Sequence, residues 1–184
     1  MERPGNYIKA FHKALHDPCK VRVVVFHDGR RKVALIGIDA LVIRRPQVIA
    51  TRKEIHEKTG IAEAAILIAA THSHSSGPTG MLLPGEFDHA DEFVQNLAYN
   101  ESTLAHAGYL KKVELQIVAA AVAANNRLAL AHVGFGSGKE DGITYNRRFK
   151  MKNGMMFTMP RQGNPDMVEP AGPIDPEVGV IAVW

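Results

Sequence analysis

The sequence has little cysteine, few aromatic side chains and little net charge. Its one cysteine, Cys19, excludes an intramolecular disulfide and a cysteine-rich zinc site. Lys plus Arg (22) exceed Asp plus Glu (19) by only three, too small a surplus to indicate a nucleic-acid partner, although the sequence pI is 9.0. The longest apolar runs, 33–43 and 61–70, are interrupted or too short to cross a membrane, so no transmembrane segment is expected.

What remains is the composition of an ordinary soluble domain. The chain has 184 residues, of which 46% are hydrophobic and 22% charged, enough apolar material for a sizeable core. By length, we expect one domain spanning residues 1–184. The first residues lack the apolar stretch of a secretory signal, and because an N-terminus can be missing from a sequence, the localisation is left open.

The hydrophobic pattern predicts an α/β fold with a mixed central β-sheet flanked by helices. Two β-branched runs separated by Asp28-Gly29 predict a hairpin, and a Pro46-initiated amphipathic stretch that ends at Thr59-Gly60 predicts a helix. The continuous apolar run Ala64–Ala70 predicts a strand buried on both faces. The remaining predictions are helices over 88–99 and 109–127, strands over 130–135 and 178–184, and a hairpin at Asn153-Gly154.

The strongest candidate for chemistry is the polar loop that follows this buried strand. His72 and His74 are two residues apart, so their rings point the same way if the backbone is still extended there. Imidazole nitrogen is a zinc ligand, and open α/β sheets place ligands at strand ends. The alternative is that both rings only make hydrogen bonds within a polar loop. Ser75 and Gly77 would let a ligand approach the backbone closely.

Other residues are candidate partners of this histidine pair. Asp39 ends an apolar strand and could orient a metal-bound histidine, or simply serve as a turn or cap residue. Asn146 and Arg147 follow a glycine-rich segment, where an arginine could hold an anionic or carbonyl oxygen or lie in a solvated basic loop. His89 and His106 could complete a zinc shell or be surface histidines.

Several motifs together resemble the N-terminal catalytic domain of the neutral/alkaline non-lysosomal ceramidase family. The stretch Thr71–Pro78 is similar to the Thr-His-Thr-His-Ser-Gly-Pro signature of that family, with Ser73 in place of threonine and Ser76 as an extra residue. The other matching blocks occur in the family's order and cover most of the chain: His16–Pro18, Ile38-Asp39, Val133–Gly136, Tyr145–Phe149, Asn164–Asp166 and Glu169–Val180.

The resemblance implies a zinc-dependent amidase that cleaves the N-acyl bond of ceramide-like lipids or other amide substrates. It implies that His72 binds Zn²⁺, and that His74 lies beside the metal and acts in catalysis. It further implies that Asn146 and Arg147 line the substrate site. Arg147 is expected to reach the polar head of the substrate and to act in catalysis by helping to hold the developing oxyanion.

The resemblance also implies that the domain is incomplete in this chain. The family's further zinc ligands follow the strand that ends here at Trp184, so they are expected beyond it. Two alternatives stay open: a shortened metal-binding hydrolase for a small soluble substrate, and a non-catalytic scaffold or assembly domain. Apolar edges left uncovered would favour a homo-oligomer.

Overall fold

The computed structural model of the protein describes residues 1–6 and 8–184 and shows a mixed α/β fold, which confirms the predicted class. The chain divides into two compact units, Met1–Leu128 and Ala129–Trp184, each described here by itself. None of the helices in the described residues is both long and apolar enough to cross a membrane. The elements of the first unit are β1 (Val21–His27), β2 (Lys32–Ile38), α1 (Arg45–Thr59), β3 (Ile66–Ala70), α2 (Glu92–Asn96) and α3 (Ala107–Asn125).

The first unit is built on a three-stranded sheet in the order β1-β2-β3. Strands β1 and β2 form the predicted antiparallel hairpin, with Val21 opposite Ile38 and His27 opposite Lys32. The turn forms because the Asp28 carboxylate accepts the N–H groups of residues 30 and 31 at 2.8 and 2.7 Å, while Gly29 takes a φ of +89°.

Helix α1 carries the chain across to β3, which pairs parallel to β2 and so makes the sheet mixed. Pro46 lies in its first turn, where its missing N–H costs nothing. Gly60 ends the helix with a φ of +72°, and its N–H donates to the carbonyl of His56 at 2.9 Å. Both signals were predicted correctly from the sequence.

The core lies on one face of this sheet, against α1 and α3. Alternate residues of β2 and β3 meet the apolar sides of the two helices, and the innermost members are Ile36, Ile38, Ile55, Ile66, Ile117 and Ala121. The opposite face carries no helix of this cluster, and Leu67 on β3 is 55% exposed. The expectation that β3 is buried on both faces is therefore wrong, because β3 is an edge strand with one covered face.

The region 81–106 differs most from the sequence prediction. Instead of one helix over 88–99, α2 has five residues and continues as a single π-helical turn, Leu97–Glu101. Asp91 starts α2 by accepting the N–H of Val94 at 2.9 Å. The Tyr99 hydroxyl accepts the N–H of Phe87 and donates to the carboxylate of Asp88, both at 2.7 Å, so long-range tyrosine contacts replace regular helix here.

The second unit contains two small sheets made of β4 (Val133–Lys139), β5 (Arg148–Met151), β6 (Met156–Thr158), β7 (Met167–Pro170) and β8 (Glu177–Val183). Strands β4 and β8 form an antiparallel pair, and the other three are ordered β6-β5-β7. The hairpin at Asn153-Gly154 is confirmed, with Gly154 at a φ of +80°. Strand β4 begins three residues later than predicted and runs to Lys139. Of residues 129–184, only Met151 is buried.

Candidate active site

The two histidines lie where the carboxyl ends of parallel strands β2 and β3 meet. Beyond the strands the ladder continues into the loops, because Thr71 donates its N–H to Ile38 and Ser73 donates to Ala40, both at 3.0 Å. The loop after β3 therefore runs beside the loop after β2. This is the edge at which open α/β sheets place their ligands.

His72 has an unusual backbone and a fixed ring. Its φ is +60°, in the left-handed region that few residues other than glycine adopt, so the rings are not aligned by the extended backbone assumed from the spacing. Its Nδ1 lies 3.1 Å from the carbonyl oxygen of Leu41. A carbonyl can only accept, so Nδ1 carries the proton, and the neutral ring keeps its lone pair on Nε2.

His74 repeats this arrangement with a different main-chain partner. Its Nδ1 donates to the carbonyl of Gly5 at 2.8 Å, which again leaves Nε2 with the lone pair. The two rings are 5.0 Å apart between centroids and inclined at 81°. Gly5 has a φ of +80°, and the His74 ring occupies the space into which any Cβ at this position would project. Two exposed imidazoles thus come together, and in the neutral form of each ring Nε2 is the nitrogen that carries the lone pair.

The second half of the loop, residues 76–80, is buried and supports the pair. Ser76 is 1% exposed, and its hydroxyl donates to the carbonyl of Ser73 at 2.9 Å. Gly77 is buried against the ring of Tyr109, which fills the position of a side chain there. The side-chain space at Gly77 is therefore filled by a protein ring, and its role in substrate binding stays a prediction. Ser75 is exposed, and its N–H donates to the Ser73 hydroxyl at 3.3 Å.

Tyr109 was not recognised from the sequence, where it appeared only as the start of a helix. Burial raises the pKa of its hydroxyl, and the neighbouring Cys19 thiol raises it further, while the backbone of Gly77 acts in the opposite direction. The phenol therefore stays neutral at physiological pH and can donate a hydrogen bond. Cys19 itself is exposed.

Residues 1–6 and 8–12, here called the N-terminal strap, hold the loop from outside. Besides the Gly5 carbonyl, the strap contributes His12, whose Nε2 donates to the carbonyl of Ser76 at 2.9 Å. The strap is itself anchored, because Lys9 donates its N–H to Glu101 and the Thr103 hydroxyl donates to the Arg3 carbonyl at 3.0 Å. The sequence pattern gave no sign of this, since the contacts join positions more than 60 residues apart.

Asp39 does not hold His72, whose ring partner is the Leu41 carbonyl. Its carboxylate accepts the backbone N–H of Lys20 at 2.9 Å and the guanidinium of Arg22 at 3.0 Å. The Lys20 hydrogen bond, and then the Arg22 contact, lower the pKa of Asp39. Asp39 thus stabilises the start of β1 through these two contacts, which agrees with the interpretation as a turn or cap residue.

The other candidate zinc ligands are used elsewhere. The His106 Nδ1 accepts the N–H of Tyr109 at 3.2 Å and caps α3. The His89 ring stacks on the Phe87 ring, with 6.4 Å between the two ring centroids. Within residues 1–6 and 8–184, no group of three or more His, Cys, Asp or Glu side chains is placed to hold a metal ion. The donor set at this edge is the His72–His74 pair, which suits zinc chemically and provides up to two of its four usual ligands.

Asn146 and Arg147 lie in the second unit, beside β5. The Asn146 amide donates to the carbonyl of Gly172 at 3.1 Å, and its oxygen accepts the N–H of residue 148 at 3.0 Å, so both amide atoms are engaged with the backbone. Arg147 is exposed, with one guanidinium nitrogen 3.9 Å from the sulfur of Met159.

The described geometry thus brings two of the predicted site residues together and shows a third as an exposed guanidinium. Comparison of the chain with protein-family models, with curated proteins and with solved structures finds no match.

Proposed function

We propose that this chain is a zinc-dependent hydrolase domain, related to the neutral ceramidases, that cleaves N-acyl amide bonds. The observation that carries the proposal is the His72–His74 pair, in which each Nδ1 donates to a main-chain carbonyl and each Nε2 is left with a lone pair. A backbone carbonyl behind a histidine is a typical support for a metal-binding imidazole. The left-handed backbone at His72 adds the local strain that often accompanies functional sites.

We assign different roles to the two rings. His72 would hold the metal through Nε2, since its partner Leu41 follows the central strand of the sheet. His74 would accept a proton at Nε2 from the attacking water, and the Gly5 carbonyl would stabilise the resulting imidazolium through Nδ1–H. A bound zinc ion supplies a Lewis acid for the amide carbonyl and lowers the pKa of water.

The substrate class follows from the family resemblance: the amide belongs to a ceramide-like lipid or to a smaller acyl amide. Since these roles leave His72 as the one ring that holds the metal, we expect zinc binding to be weak compared with that of a complete three- or four-ligand site.

The proposal is tested by zinc titration of the wild-type chain and of His72→Ala, with His16→Ala as the matched control. His16 has an exposed ring remote in sequence from the loop, so its loss should change the zinc affinity by less than about twofold. Loss of His72, the ring assigned to the metal, should weaken zinc binding by about tenfold or more.

Hydrolysis of fluorogenic N-acyl amides is then measured with and without added zinc. Zinc-stimulated hydrolysis by wild type that His74→Ala reduces, with little change in zinc affinity, supports the separate roles of the two rings. Equal zinc affinity in wild type and His72→Ala would overturn the metal site and leave the scaffold alternative.

A further inference from the structure

A basic groove lies at the end of the first unit opposite to the histidine pair. It has a volume of about 710 Å³ and runs between the β1–β2 turn, α1 and the start of β3. Lys32 opens β2 and Ile38 closes it, so the groove and the histidine edge are separated by the length of a seven-residue strand, about 20 Å. The groove is therefore a separate feature from the candidate active site.

Four of the side chains that line the groove are cationic: Arg30, Arg31, Lys32 and Arg52. Among the described residues, no Asp or Glu makes an ion pair with any of them. The neighbouring Asp28 carboxylate is occupied by the backbone N–H groups of Arg30 and Arg31. The positive charge of these four side chains is thus not neutralised by a carboxylate among the described residues.

Two of these cations, Lys32 and Arg52, are partly buried. Lys32 donates to the carbonyl of Thr59 at 3.2 Å and to the side-chain oxygen of Asn125 at 2.7 Å, both uncharged acceptors that orient the ammonium group without neutralising it. The Nε of Arg52 is buried and has no hydrogen-bond partner within the part of the chain that the structure describes. A buried donor without a partner is costly unless a ligand supplies an acceptor.

The rest of the lining is largely apolar and includes the small residues Gly60, Ala62, Ala64 and Ala65. Val33 and Leu67 also line the groove and are 41% and 55% exposed. A ligand that fills this space would therefore meet both positive charge and hydrocarbon.

We propose that this groove binds an anionic amphiphile, specifically a phosphate monoester that carries an apolar group. A guanidinium matches a phosphate through paired charge-assisted hydrogen bonds, which an ammonium group cannot reproduce. The small apolar residues of the lining, together with Val33 and Leu67, would contact the hydrocarbon part of the ligand. The volume lies within the range of small-molecule sites.

The test is calorimetric titration of the full chain with hexyl phosphate, inorganic phosphate and 1-hexanol. We expect hexyl phosphate to bind more tightly than inorganic phosphate by about tenfold or more, and hexanol to show no saturable binding. Arg52→Gln should weaken hexyl phosphate binding by about tenfold, as expected for loss of a charge-assisted hydrogen bond. The matched control is Lys53→Gln. This substitution removes the same charge from the next position of α1, but Lys53 is not among the residues that line the groove.

The outcomes separate a built site from general charge attraction. If Lys53→Gln weakens binding as much as Arg52→Gln, or if hexanol binds as tightly as hexyl phosphate, the proposal is overturned. Arg31→Gln, in the exposed turn, provides a second variant should Arg52→Gln fail to fold. It should also lower the affinity, and unchanged affinity in that variant would count against the groove. None of these results depends on zinc or on the hydrolase proposal.

Discussion

Both units of this protein contain paired strands, yet only the first has a core of its own. In residues 1–128, Ile36 on the central strand is 2% exposed and packs among buried residues from two helices. In residues 129–184, all seven residues of β8 are exposed, although each is paired with a residue of β4. Backbone hydrogen bonds shape both units, but burial of apolar side chains stabilises only the first, since an isolated two-stranded ribbon is marginal in water.

The largest test of this contrast is to truncate one apolar strand residue in each unit. Ile36→Ala leaves a cavity in the core and should lower the free energy of unfolding by about 2–5 kcal/mol. Val180→Ala, at a position that is 52% exposed, should change it by less than about 0.5 kcal/mol. Urea unfolding monitored by circular dichroism gives both values. Similar losses in the two variants would show that β8 is buried in solution.

The glycines allow a second, smaller test in which the backbone cost is held constant. Gly5 and Gly154 share a φ of +80°, but a Cβ at Gly5 meets the His74 ring whereas nothing lies within 4 Å at Gly154. An alanine at either position should cost about 1–2 kcal/mol from the left-handed backbone. Only Gly5→Ala should also displace the exposed His74 ring and break its Nδ1 hydrogen bond.

The difference is measured by NMR of the histidine ring nitrogens. In wild type we expect His74 to be the Nδ1–H tautomer, and in Gly5→Ala we expect a mixture of tautomers, with Gly154→Ala unchanged. An unchanged His74 spectrum in Gly5→Ala would show that the strap does not position this ring.

The smallest effect concerns the ion pairs. In the first unit, the Glu86 carboxylate faces the Arg44 guanidinium with two contacts of 2.7 and 2.6 Å and accepts the N–H of Leu83. Arg44 first, and then Leu83, lower the pKa of Glu86 from 4.5 to about 2. A lowered folded-state pKa means that the pair contributes stability above pH 4.5 and loses it as the pH falls towards about 2.

Glu86→Gln should therefore flatten the loss of stability over this acidic window. Glu169→Gln removes an exposed pair with Lys150 at 3.3 Å in the second unit and should have no measurable effect. The check is the urea midpoint as a function of pH for both variants. A pH profile of Glu86→Gln that superimposes on wild type would contradict the assignment.

Local signals in the sequence were sufficient for much of the secondary structure. Asp28-Gly29, Pro46, Gly60 and Asn153-Gly154 each act within a few residues, and the turns or helix ends they predict are present. The burial of Ala64–Ala70 was misjudged because an apolar run does not reveal whether one or both faces of a strand are covered.

Only part of the candidate site could be predicted from the sequence, for a related reason. The spacing of His72 and His74 marked the pair, and the rings do lie together, though through a left-handed residue rather than an extended one. Gly5 and Tyr109 are far away in sequence and carry no periodic pattern, so their close approach to the loop depends on the tertiary fold. The zinc role and the substrate contacts of Asn146 and Arg147 stay predictions.

The N-terminal strap also fixes an order of events during synthesis. Gly5 leaves the ribosome 69 residues before its partner, His74, and the strap's anchors at Glu101 and Thr103 follow later still. Until then the strap lacks these partners, whereas the β1–β2 hairpin can already form from neighbouring residues. We therefore expect the histidine edge to mature last within the first unit, after its sheet has been assembled.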